Sequence, residues 1–72
     1  MAKSLRNPDM PSPREIEVLT AVADGDDNAA IAHRLFISQA TVKTHLASVF
    51  AKLGVSTRTG AVAEARRRGH LR

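Results

Sequence analysis

The chain has 72 residues, a formal net charge of +4, no cysteine, and Phe36 and Phe50 as its only aromatics. Such a length makes one small domain, which buries only ~60% of the surface it exposes when unfolded, and neither disulfides nor a thiolate metal site can brace it. So few rings also argue against single-strand or RNA readers, which stack bases on exposed aromatics.

Residues 1–10 lack periodicity, carry a proline and read as a flexible N-terminal arm; residues 11–72 read as the domain. Pro11-Ser12-Pro13 announces the first helix. Ser12 suits the N-cap, Pro13 the first helical position, and Glu15 the third, where it closes a capping box. Glu15 is therefore expected to be a helix cap and not a chemical group. Ile16, Leu19, Val22 and Ala23 follow at helical spacing until Asp24-Gly25-Asp26 stops the helix. Asp27 caps a second helix carrying Ile31, Ala32 and Leu35 on one face, closed by Phe36-Ile37. Ser38 opens the third and longest, Gln39 to Leu53, whose apolar stripe is Val42, Leu46, Val49, Phe50 and Leu53. Gly54 ends it, with Val55 set to pack back on the last turn. Ser56 or Thr57 caps a fourth helix running to about Arg68, and Gly60 is expected to loosen its first turn. No strand-period segment or internal repeat interrupts this order. The predicted fold class is all-α, a four-helix bundle containing a helix-turn-helix, because two or three residues between the second and third helices force a steep crossing.

Charge is unevenly distributed. Residues 1–27 hold three basic side chains against six acidic ones, a net −3, whereas residues 28–72 hold eight against one, a net +7. A one-sided positive field suits a polyanionic partner. On the third helix, Ala40, Thr44, Ala47, Ser48 and Ala51 face away from the apolar stripe. Thr41, His45 and Lys52 lie along one flank and Lys43 along the other. That outer surface carries no acid, and its small central residues let the backbone approach closely, as entry into the ~12 Å major groove requires.

The run TVKTHLASVFAKLGVSTRTGAV, from Thr41 to Val62, resembles the LuxR-type (GerE-type) helix-turn-helix domain of bacterial transcription regulators. SPREIEVL from Ser12, Gly25, DNAAIAHRL from Asp27 and Ile37-Ser38 match in the same order, so the resemblance covers roughly residues 11–71. It implies sequence-specific binding of double-stranded DNA by a homodimer, with the third helix in the major groove. By position, Lys43, Thr44 and Ala47 face bases. Thr41, His45 and Lys52 approach the backbone or groove edge; Ser48, outside that match, is expected from the helix face alone to reach base edges or phosphates. Asn28 holds a phosphate, and Arg58 is expected to do likewise. The fourth helix matches the dimer-forming helix, with Ala61, Val62 and Ala65 as its contact face. Pro11 stands where the family usually has Leu, so Met10 is expected to supply that packing. The family also implies an upstream receiver or sensor domain, which does not fit in 72 residues, so the chain is expected to be either an isolated C-terminal output domain or a naturally minimal regulator.

No cofactor or metal is implied. His33, His45 and His70 lack the close pairing a zinc site needs, and no phosphate loop or nucleophile motif suggests an enzyme. Arg66-Arg67-Arg68 reads as a solubilising end that complements the helix dipole. The apolar runs are too short for a membrane span and nothing near Met1 reads as a signal peptide, so the expected location is cytoplasmic. The alternative reading is a protein-interaction module that uses the same fold to bind a larger regulator.

Overall fold

The computed structural model describes residues Met10–Arg72, and the N-terminal arm up to residue 9 lies outside the described residues. Four helices follow one another: α1 (Pro13–Ala23), α2 (Asn28–Leu35), α3 (Gln39–Leu53) and α4 (Arg58–Arg67). Each begins at a polar N-cap in extended backbone. Ser12, Asp27, Ser38 and Thr57 accept from the amides of Glu15, Ala30, Thr41 and Gly60 respectively. A side-chain acceptor there satisfies one of the amides that the helix itself leaves unpaired. At α1 the Glu15 carboxylate also accepts from the Ser12 amide at 2.8 Å, which completes the capping box.

The helix ends share one design. After α1, α2, α3 and α4 the chain passes through a left-handed residue, and the next amide reaches back to a carbonyl five residues earlier. These bonds run from Asp26 to Ala21 at 3.0 Å, Ile37 to Ala32 at 3.0 Å, Val55 to Phe50 at 3.0 Å and His70 to Ala65 at 2.8 Å. Three of the left-handed positions are glycines, Gly25, Gly54 and Gly69, which have no Cβ to clash. The fourth is Phe36, at φ 59° and ψ 43°, the one non-glycine residue with positive φ among the described residues. The left-handed region costs an L-residue with a Cβ about 1–2 kcal/mol.

Helix α1 lies across two apolar clusters. In the first, Val18, Ala21 and Val22 pack with Ile31 and Ala32 of α2 and with Val42 and Leu46 from the N-terminal half of α3. In the second, Leu19 packs with Val49 and Leu53 from the C-terminal half of α3 and with Ala61 and Ala65 of α4. Phe50 touches both. The reading of α3 as an amphipathic helix therefore stands, and its inner stripe spans the full core. Each fully buried aliphatic side chain contributes about 1.5–3 kcal/mol, so α3 is held along its length by α1, α2 and α4. Its outer side carries no core contact among the described residues.

Three expectations need correction. Pro11 is itself buried, while Met10 remains 47% exposed, so the proline and not the methionine fills the place of the usual leucine. Ala61 and Ala65 are fully buried in the chain's own second cluster, because α4 needs small side chains to lie close to Leu19 and Leu53. They are not on the outer face of α4. Gly60 does not loosen α4 either. A Cβ there would sit 2.9 Å from the Thr57 hydroxyl oxygen and 3.6 Å from the Val55 Cβ, so the glycine lets the capping turn close tightly.

Candidate nucleic-acid interface

The α2–α3 turn is three residues long, Phe36, Ile37 and Ser38, and it sets the start of α3 beside the end of α2. On the outer side of α3, Gln39, Ala40, Lys43, Thr44, Ala47 and Ala51 are exposed, and Thr41 and His45 are half-buried. The helix contains no aspartate or glutamate. Ion pairs among the described residues engage Arg14, Arg34, Lys52, Arg67 and Arg68, which leaves the exposed Lys43 ammonium without one. Thr41 lies against the N-cap, its hydroxyl 2.9 Å from that of Ser38. The Thr44 hydroxyl donates to the Ala40 carbonyl at 3.1 Å, which keeps its oxygen lone pairs available. Ala47 offers only a methyl group. The surface is thus cationic at Lys43, hydroxylic at Thr44 and flat beyond, and small enough for the helix backbone to come near a base-pair edge.

Two residues expected on that surface are engaged elsewhere. Ser48 is half-buried and donates to the Glu15 carboxylate at 2.7 Å, and the Lys52 ammonium lies 2.8 Å from the other Glu15 oxygen and 3.2 Å from the Met10 carbonyl. Glu15, only 5% exposed, joins the beginning of α1 to the later turns of α3. Burial works against its charge, but hydrogen bonds from Lys52, the Ser12 amide and Ser48, with the Lys52 charge, outweigh it and hold its carboxyl below the ordinary value of 4.5. Glu15 is thus more than the helix cap that its spacing suggests. The capping-box pattern accounted for the residue, and no local signal pointed to partners 33 and 37 positions away.

Asn28 and Arg58 come together. One Arg58 nitrogen donates to the Asn28 amide oxygen at 2.7 Å and another to the Asp26 carbonyl at 2.9 Å. Arg58 can only donate, so the bond fixes the Asn28 oxygen inward and leaves its NH2 group as the end available to an acceptor. Both groups are half-buried. Arg58 therefore ties the start of α4 to the start of α2 and orients Asn28, whereas the expectation for it was a direct phosphate contact. At the other end of α4, Arg67 and Arg68 both bond Glu64 and hold its carboxyl down at about 2.

On the exposed side of α4, Thr59, Val62, Ala63 and Arg66 line a shallow groove with Val22, Gly25 and Asp26 of the α1 end. Val62 is the one member of the expected dimer face that is partly accessible.

Four helices with this short turn and this acid-free outer helix define a helix-turn-helix domain. The family described as bacterial regulatory proteins, luxR family, matches residues 11–65, and the chain belongs to it. The chain is 52% identical over 56 residues to the "Probable transcriptional regulatory protein NarL" of Mycobacterium tuberculosis, a match covering 78% of this chain and 26% of that protein. It is 47% identical over 58 residues to the transcriptional regulatory protein LiaR of Bacillus subtilis, covering 81% and 27%. Among solved structures, the response regulator ChrA of a heme-sensing two-component system superposes with a TM-score of 0.85 at 44% identity, over 94% of this chain and 33% of that one. The chain thus spans about a quarter to a third of these relatives.

Proposed function

We propose that this domain binds double-stranded DNA sequence-specifically, as the DNA-reading unit of a bacterial transcription regulator, with α3 in the major groove. The observation that carries this reading is the outer face of α3, which is exposed, free of acid and built from small residues around Lys43. Lys43, Thr44 and Ala47 meet base edges, Ala47 through apolar contact such as a thymine methyl. Thr41, His45 and the outward NH2 of Asn28 meet the backbone. Ser48, Lys52 and Arg58 act by holding α3 and Asn28 in place. The luxR-family membership and the regulators named above support the same reading.

The domain acts on DNA in the cytoplasm, as a binding module and not as an enzyme. It pairs with a second copy through the outward side of α4, which after the burial of Ala61 and Ala65 consists of Thr59, Val62, Ala63 and Arg66. An input domain, such as a receiver, belongs to the regulator as a whole, in keeping with the response regulator that this chain resembles. The test is selection from a random duplex pool followed by footprinting. Two inverted half-sites, centred one helical turn or a multiple apart, are expected. A pool that gains no common sequence ends the proposal of sequence-specific reading.

A further inference from the structure

Phe36 combines two unfavourable features. Its ring is 93% exposed, and its backbone adopts the left-handed conformation that the other three helix ends give to glycine. Nothing in the turn itself requires a ring, since the backbone bonds that close α2 are made by the amides of Phe36 and Ile37. A side chain held in a strained, solvated position marks a place where contact with something else is the use. Its location narrows what that is. Phe36 comes two residues before the N-cap of α3, and the residues that follow it, Ser38, Gln39 and Ala40, are exposed and lead directly onto the proposed reading face. Its chain neighbours Leu35 and Ile37 are half-buried against the first apolar cluster, and His33 and Arg34, before Leu35, are exposed and polar. Among the described residues the other large exposed apolar side chain is Met10. A protein docking site needs roughly 800 Å² per partner with an apolar centre, and one exposed ring flanked by half-buried Leu35 and Ile37 does not supply it. A sugar edge does fit one ring.

We propose that Phe36 is a DNA contact: its ring packs against a deoxyribose of the backbone at the rim of the groove that α3 enters, and so steadies the insertion end of the helix. The inference rests on the DNA-binding reading above. It assigns Phe36 a positioning role that is independent of base sequence, distinct from that of Lys43.

Phe36→Gly and Phe36→Asn both tolerate left-handed backbone, and Phe36→Tyr keeps the ring. Binding is measured for each on a duplex selected from the random pool and on a random-sequence duplex, across a salt series, with a thermal melt. For the Gly and Asn variants the expected result is a melting temperature equal to or above that of the parent. Affinity falls about fivefold on both duplexes alike, the size of one modest apolar contact. The slope of log affinity against log salt stays that of the parent, because a ring displaces no counterion. The Tyr variant binds like the parent. Gly and Asn variants that bind as tightly as the parent overturn the proposal, and a loss confined to the selected duplex overturns it in favour of base reading. A parent that binds neither duplex removes the DNA-binding reading itself, whereas a binding parent with indifferent variants removes only the role of Phe36.

Discussion

Lys43 and Lys52 lie on the same helix, yet they face opposite electrostatic situations. Lys52 already has an anion at 2.8 Å in Glu15, and Lys43 has none among the described residues. Only a cation that neutralises a phosphate, and so releases counterions condensed on the DNA, contributes to the salt dependence, about 0.9 per phosphate. Lys52→Met should therefore leave the salt slope of DNA binding unchanged. Lys43→Ala should weaken binding to a selected duplex by ~1–3 kcal/mol and reduce its advantage over random sequence. Equal losses of affinity and of specificity in the two variants would refute the distinction. Glu15 makes a second prediction. Its folded-state carboxyl titrates below its ordinary value, so its stabilising contribution is complete above pH 4.5 and disappears as the pH falls through the lowered value. Glu15→Gln should lower stability at neutral pH by about 1–3 kcal/mol. It should also flatten the fall in melting temperature as the pH drops below 4.5. A variant whose acid profile parallels that of the parent would show that the carboxylate is not the titrating tie. The residue scale is also where sequence reading fell short. The letters place Ser48 and Lys52 on α3 correctly, but a helical wheel carries no record of a carboxylate arriving from α1.

At the scale of elements, the boundaries were largely legible because they are written in local chemistry. Caps at Ser12, Asp27 and Ser38 and glycines at Gly25 and Gly54 act within one turn of chain, so spacing alone reveals them. The inward stripe of α3 was equally plain, since Val42, Leu46, Val49 and Leu53 repeat at helical period and all are buried. Helix α4 was harder. Alanines at 61, 63 and 65 and a valine at 62 give a weak pattern, and which of them point inward depends on the angle at which α4 meets α1. Close approach selected Ala61 and Ala65 for the core. The same closeness explains Gly60, and a cycle of substitutions tests it. Gly60→Ala gains up to ~1 kcal/mol of helix propensity but pushes the new Cβ to 2.9 Å from the Thr57 hydroxyl that caps the helix. Loss of such a cap is worth about 1 kcal/mol, so the net change in the parent should lie near zero or be unfavourable. In a Thr57→Ala background the cap is already gone, and the same substitution should stabilise by about 0.5–1 kcal/mol. Additive effects in denaturant unfolding would mean that the hydroxyl and the glycine are not coupled.

For the molecule as a whole, pairing of two copies is a claim about the outside of α4, and Ala63 tests it cleanly because it is exposed and outside both apolar clusters. Ala63→Glu should leave the melting temperature and the affinity for a single half-site unchanged while abolishing cooperative occupation of two inverted half-sites. Cooperative binding that survives the added charge would move the pairing surface elsewhere. The architecture also has a bearing on how the chain comes to be folded in the first place. Leu19 closes its cluster with Val49, Leu53, Ala61 and Ala65, partners that are made long after it. At the usual pace of translation, the stretch from Leu19 to Ala61 takes roughly 2–8 s to emerge. A helix needs only about a microsecond to form. An 11-residue helix on its own is marginal in water, so Leu19 stays exposed to solvent for seconds and assembly of the second cluster waits on synthesis.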